Sequence, residues 1–195
     1  MRRTTLNRRF ITYFDKEGED YTDDLILTIE DKLRMVDNID TILMASNTGE
    51  SALKLNNVVG SDVKIINITH HAGFSNPNEL EISEDMVEKL KNEGVETYCL
   101  GHAFSGVSRG ITNKYGGYSP LDIVADTLRM FSHGVKVACE ISLMAADAGI
   151  IPIGKEIMVV AGRKKGIDTA VILTPVNSKD LFDLKINEIF AMPRQ

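Results

Sequence analysis

The chain has 195 residues, 43% of them hydrophobic and 26% charged, with a formal net charge of −6 at pH 7. That composition is typical of a globular protein with a real core, and a single domain accommodates the length. The acidic balance argues against generic nucleic-acid binding, which needs a basic face, and no apolar stretch approaches the roughly 18 residues that cross a bilayer.

Arg2, Arg3, Arg8 and Arg9 form a small basic cluster, and the segment Asp15–Asp24 behind it is acidic. Residues 1–20 therefore read as a solvated N-terminal extension of a single domain spanning 1–195. The first residues lack the apolar core of a signal peptide. Cys99 and Cys139 sit in apolar contexts and read as buried, reduced thiols. Together these features predict a cytoplasmic protein.

A helical stripe of Leu25, Ile26, Ile29, Leu33 and Val36 predicts a helix over Tyr21–Val36. Thr41–Ala45 is a short strand, and a helix from Gly49 to Val59 stops at Gly60. Lys64–Thr69, rich in β-branched residues, is a buried strand. Ser83 caps a helix that ends near Asn92 and Gly94, and Val95–Leu100 is the next strand. Gly101–Ser119, with glycines at 101, 106, 110, 116 and 117, reads as a long irregular stretch. Ser119-Pro120 opens a helix, and a nearly all-apolar helix follows over Val135–Ala148. Ile157–Gly162 and Thr169–Pro175 are strands joined by a basic loop, Arg163–Gly166. The alternation over Leu184–Met192 favours a last strand over a helix.

Strands alternating with helices predict a three-layer α/β fold, a doubly wound and mostly parallel sheet. Ligands in such sheets sit beyond the carboxyl ends of the strands. That rule gathers the loops Ser46–Ser51, Thr69–Gly73, Gly101–Gly106 and Gly162–Thr169 on one edge, and with them the candidate site residues. In the first loop, Ser46, Asn47, Thr48, Gly49, Glu50 and Ser51 form a hydroxyl-rich turn from strand to helix. Such a turn offers unpaired N–H groups to an anion such as phosphate; the alternative is an ordinary capped turn.

Thr69, His70 and His71 close the second strand loop, and His102, Phe104 and Ser105 open the third. The histidines read either as ligand contacts or as turn-bracing groups. Phe104 either stacks on a flat ring or plugs the core. Gly162 and Thr169 flank the basic loop Arg163–Lys165, which reads as a solvated hairpin or as reaching over the ligand edge, and Arg109 and Lys114 read as solvated loop charges or as positive charge near an anion. Tyr115 and Tyr118 are either a lid or plain surface residues. Glu140, an acid in an apolar helix, pairs with Lys136 one turn earlier or serves as a general base. Cys99 and His102 supply too few ligands for a metal site, and none is expected.

The segment Ile42-Leu-Met-Ala-Ser-Asn-Thr-Gly-Glu-Ser-Ala52, with Ile65-Ile-Asn-Ile-Thr69 a helix later, resembles the C-terminal α/β domain of pyruvate kinase, where the equivalent turn cradles an effector phosphate. The stretches His70–Phe74, His102–Gly106, Lys114–Gly117, Leu128–Phe131, Gly134–Val137, Met144–Gly149 and Phe182–Lys185 extend the likeness to the stand-alone pyruvate kinase C-terminal-domain-like proteins, found largely in archaea. The barrel domain that carries pyruvate kinase's catalytic and metal-binding residues has no counterpart here, so the resemblance implies no kinase activity. Glu50 stands where many pyruvate kinases have a basic residue, which speaks against fructose bisphosphate.

The resemblance implies a flavin mononucleotide (FMN)-type ligand with its phosphate in the 46–51 turn. The expected function is thus binding of FMN or a similar phosphorylated nucleotide, through N–H groups and hydroxyls rather than arginines. A regulatory module sensing a small phosphorylated metabolite is the alternative, and a phosphoryl-transfer or hydrolytic enzyme using His70 or His102 ranks third. A homo-oligomer is expected because the C-terminal segment looks buried.

Overall fold

The computed structural model describes residues 9–195; Arg2, Arg3 and Arg8 of the basic cluster lie outside the described residues. Among the described residues, seven strands form one sheet: β1 (Thr12–Phe14), β2 (Thr41–Ala45), β3 (Lys64–Thr69), β4 (Glu96–Cys99), β5 (Ile157–Ala161), β6 (Thr169–Thr174) and β7 (Lys185–Pro193). Their order across the sheet is β1-β7-β6-β5-β2-β3-β4. β5, β2, β3 and β4 run parallel to one another. β6 is antiparallel to both its neighbours, and β1 pairs in parallel with β7.

The six helices of the described residues are α1 (Thr22–Leu33), α2 (Glu50–Asn56), α3 (Glu84–Asn92), α4 (Gly106–Tyr115), α5 (Pro120–Arg129) and α6 (His133–Asp147). Side chains alternate across the pleat, so each strand feeds two cores. Ile42, Met44, Met158, Val160, Ala170 and Ile172 pack with Leu25 and Ile29 of α1, Leu55 of α2 and Leu90 of α3. Their neighbours Leu43, Ile157, Val159, Ala161, Val171 and Leu173 pack on the opposite face against Val135, Ala138, Ile141 and Ala145 of α6. The strands read as unbroken apolar runs because helices cover both faces. This is the mixed α/β, mostly parallel, doubly wound fold predicted from the sequence.

Local signals set the helix starts. Ser83 accepts the Met86 N–H at the head of α3, and Ser132 accepts that of Val135 in α6. Ser119 and Asp122 form a capping box around Pro120. Gly134 lets α6 approach β6 closely: a Cβ there would lie 2.2 Å from Thr169 Oγ1.

Three expectations are corrected. The stretch Gly101–Ser119 is not irregular, because Gly106–Tyr115 forms α4. Glycines at 106 and 110 lower helix propensity without forbidding a helix. Part of the expected N-terminal extension belongs to the sheet, since Thr12–Phe14 is an edge strand on β7. The next few residues dock too: the Glu17 carboxylate accepts the His133 N–H at 2.6 Å and pairs with Arg163. Cys99 is exposed, whereas Cys139 is buried as expected. As the last residue of edge strand β4, Cys99 has no further strand to cover it.

Candidate functional site

From β2 the chain steps to β3 and β4 on one side, while β5 lies on the other side of β2. The loops that leave β2 and β5 at their shared carboxyl end therefore diverge. Such a switch point opens a crevice in a doubly wound sheet. A cavity of about 450 Å³ lies there, within the range of small-molecule sites.

One wall is the turn after β2. Ser46, Asn47, Thr48 and Ser51 face the cavity. Ser46 is fixed by Asn67 of β3, whose amide oxygen accepts the Ser46 N–H at 3.0 Å and whose NH₂ donates to the Ser46 carbonyl at 3.1 Å. Gly49 sits at φ +83, and a Cβ there would lie 2.6 Å from Met86 and 2.9 Å from Leu90. The turn is thus held tightly against α3, and glycine is required by both backbone and space. Among the described residues, no acceptor faces the N–H groups of Glu50, Ser51 and Ala52.

A second wall is aromatic. Thr69 and His70 leave β3, and the His70 ring lies 3.8 Å from that of Phe74 and 5.2 Å from that of His102, centroid to centroid. His70 Nδ1 is 2.5 Å from the Glu81 carboxylate, which can only accept, so Nδ1 carries a proton. On the other side of the ring, Nε2 lies 3.2 Å from the Asn47 side-chain amide nitrogen, tying the aromatic wall to the turn. Hydrogen bonds from Ser75 and His70 hold the Glu81 carboxyl below its ordinary range. Burial pushes His102 down to about 4, which keeps that ring neutral.

The third wall is α6 with its surroundings. His133, Lys136, Val137, Glu140, Ile141 and Met144 recur at helical spacing along one stripe facing the cavity. Lys136 and Glu140 form a buried ion pair, and Glu140 also accepts the Phe104 N–H at 2.8 Å. Burial lowers the pKa of Lys136, and burial takes His133 down to about 4. Ser105, Arg109 and Arg129 come from the α4–α5 side. Gly162, Arg163, Lys164 and Gly166 come from the loop after β5.

Most predicted site residues meet here: Ser46, Asn47, Thr48, Ser51, Thr69, His70, His102, Ser105 and Gly162 all line the cavity. Five others do not. Phe104 is fully buried among Ala125, Cys139 and Leu143 and plugs the core. Thr169 is sealed between Ser132 and Asp168 by hydrogen bonds at 3.2 and 2.8 Å. His71 does not line the cavity: its Nδ1 donates to the Ala72 carbonyl at 2.7 Å and its ring packs edge-on behind those of Phe74 and His102. Gly49 is packed beneath the turn, and Glu50 is exposed outside the cavity wall.

The charges around the cavity are mixed. Arg109, Arg129, Lys136, Arg163 and Lys164 line the cavity against the carboxylates Glu81 and Glu140. Three of these cations are already paired, Lys136 with Glu140, Arg129 with Asp126 and Arg163 with Glu17, so Arg109 and Lys164 are the two without a carboxylate partner among the described residues. Lys136 and Glu140, singled out in the sequence as a pair within an apolar helix, line the cavity together with Arg129 at the end of α5 and His133 at the start of α6, which the sequence did not point to. Among the described residues, no group of three or more His, Cys, Asp or Glu is placed to hold a metal ion.

The protein is thus an α/β domain with a cavity, lined by cations and carboxylates, at the carboxyl end of its sheet. Residues 31–173 match the family model of the pyruvate kinase alpha/beta domain, and the chain belongs to that family. No helix among the described residues is long and apolar enough to cross a membrane.

Proposed function

We propose that the cavity binds a small phosphorylated molecule carrying a flat ring, with FMN or a similar nucleotide as the ligand. The observation that carries this reading is the set of cations around one crevice, of which Arg109 and Lys164 have no carboxylate partner among the described residues while Lys136, Arg129 and Arg163 pair with Glu140, Asp126 and Glu17. Cationic walls focus the field within a cleft and raise the local concentration of anions. Lys136 has three donors and gives one to Glu140, which leaves N–H capacity for a phosphate oxygen. Ser46, Thr48 and Ser51 add hydroxyl donors opposite.

The rings of His70, Phe74 and His102 favour a planar group over a sugar at the other end. Aromatic faces gain from offset stacking on such a group. In this arrangement the phosphate lies between the 46–51 turn and α6, and the ring lies against the aromatic wall.

The test is an absorbance spectrum and a denaturing mass spectrum of freshly purified protein, before and after added FMN. A flavin band with the mass of FMN, weakened in Ser51→Ala, supports the reading. Ser51 is the better site for substitution because a side chain at Gly49 would disturb packing on α3. A colourless protein that ignores FMN but is stabilised by other phosphorylated metabolites would favour the sensor alternative.

A further inference from the structure

Residues 15–21, between β1 and α1, are pinned along the loop that follows β5. The Thr22 hydroxyl accepts the Ile167 N–H at 3.2 Å, and the buried Asp168 carboxyl accepts that of Gly18. Asp20 lies so close that a Cβ on Gly166 would stand 2.1 Å from its Oδ1. Between these ties the Glu17 carboxylate bridges two walls of the cavity. One oxygen accepts the His133 N–H at 2.6 Å, and the other pairs with Arg163. Although burial opposes it, these two donors hold the Glu17 carboxyl below its ordinary range.

His133 is the first residue of the 15-residue helix α6, where unpaired N–H groups and the helix dipole favour an anion. His133 and Arg163 both line the cavity, and Arg129 joins them there. A side chain of the protein itself thus sits as the anion on two residues that border the ligand space. Given a phosphorylated ligand in this cavity, as proposed above, we infer that Glu17 is an internal competitor. Its carboxylate is seated where an oxyanion of the ligand binds, and the ligand displaces it.

The competition sets a preference. A phosphate monoester carries about two charges and three acceptor oxygens, whereas a ligand carboxylate brings only what Glu17 already supplies. The exchange therefore favours phosphorylated over carboxylated ligands of the same shape. It also hands Arg163, paired in the free chain, to the ligand. If Glu17 served only to brace Arg163, its removal would weaken anion binding. A competitor gives the opposite sign, because apparent affinity scales with the fraction of molecules whose site is open. A carboxylate seated about nine-tenths of the time masks affinity by about tenfold.

Calorimetric titration with inorganic phosphate at constant ionic strength tests the proposal on the full chain, Glu17→Gln and Glu17→Ala. Both variants should bind phosphate more tightly than the wild type, Glu17→Ala by about tenfold. Glu19→Gln removes an exposed acid of the same segment and should leave binding nearly unchanged, because an exposed charge is screened. In the wild type, carboxyl-detected NMR should show Glu17 titrating below the ordinary glutamate range in the free chain and within it at saturating phosphate. Affinity unchanged or weakened in the Glu17 variants, tightened equally by Glu19→Gln, or undetectable in every chain overturns the proposal. So does a Glu17 carboxyl whose titration phosphate leaves unaltered, a reading that decides even if the variants fail to fold. FMN titrated alongside separates the two claims. Phosphate binding tightened in the Glu17 variants, with no binding of FMN, supports the competitor and removes FMN as the ligand.

Discussion

Asn67 clasps Ser46 in both directions, accepting its N–H at 3.0 Å and donating to its carbonyl at 3.1 Å. Both residues are buried, so the clasp fixes where the chain leaves β2 and hence where the 46–51 turn sits. Asn67→Leu keeps the volume and removes both side-chain partners, leaving the Ser46 carbonyl unpaired while the Ser46 N–H keeps the Ile68 carbonyl at 3.2 Å. Leaving a buried polar group unpaired costs about 1–3 kcal/mol. The loss should appear as a lower denaturation midpoint in urea, with weaker FMN binding in the fraction that remains folded.

The buried Lys136–Glu140 pair gives a second prediction. Removing one partner of such a pair typically costs about 3–5 kcal/mol because the other charge is stranded. Lys136→Met should therefore destabilise strongly. Lys136→Met/Glu140→Gln should be milder, since the glutamine oxygen still accepts the Phe104 N–H without a buried charge. Urea unfolding of the two variants checks the order; a double variant no better than the single would contradict it.

Acidification should destabilise the fold earlier than carboxylate protonation alone predicts. Burial lowers His102 and His133 from 6.5 to about 4 in the folded chain. Above 6.5 both rings are neutral folded or unfolded and contribute no pH dependence. As pH falls from 6.5 towards 4, the unfolded chain takes up protons that the folded chain refuses, so stability falls. The thermal midpoint should drop across that window, and His133→Gln should flatten the slope.

The two cysteines should differ sharply in reactivity. Cys99 is exposed, while burial pushes the Cys139 thiol up to about 12. Only the thiolate attacks thiol reagents. The native chain should consume one equivalent of a disulfide reagent quickly and the second only after unfolding. Mass spectrometry of the modified protein should place the first label on Cys99.

Much of this architecture is legible in the sequence because the signals are local. The apolar runs at 41–45, 157–161 and 169–174 are strands covered on both faces, and Ser83 and Ser119 act as caps. β1 is harder to read, since three residues carry too little pattern to outweigh the charged segments around them. α4 escapes because its apolar residues, at helical spacing, are broken by glycines and face outward rather than into the core.

At the site, the loops can be read from the fold rule, but the α6 stripe cannot. A side chain facing a cavity and one facing a core occupy the same helical phase. Only the charges of Lys136 and Glu140 distinguish them, and their mutual pairing reads equally well as structure. Phe104 and Thr169 show the converse: they lie in the right loops, yet the close approach of α6 seals them inside.

Equilibrium titration with FMN and riboflavin, followed by flavin fluorescence, tests the anion-anchored cavity most directly. The two compounds share the ring and differ in the phosphate. Saturable FMN binding is expected, with riboflavin weaker by about tenfold or more, equivalent to at least ~1.4 kcal/mol, and with that preference lost in Arg109→Ala. Riboflavin binding as tightly as FMN, or no binding of FMN at all, would contradict it.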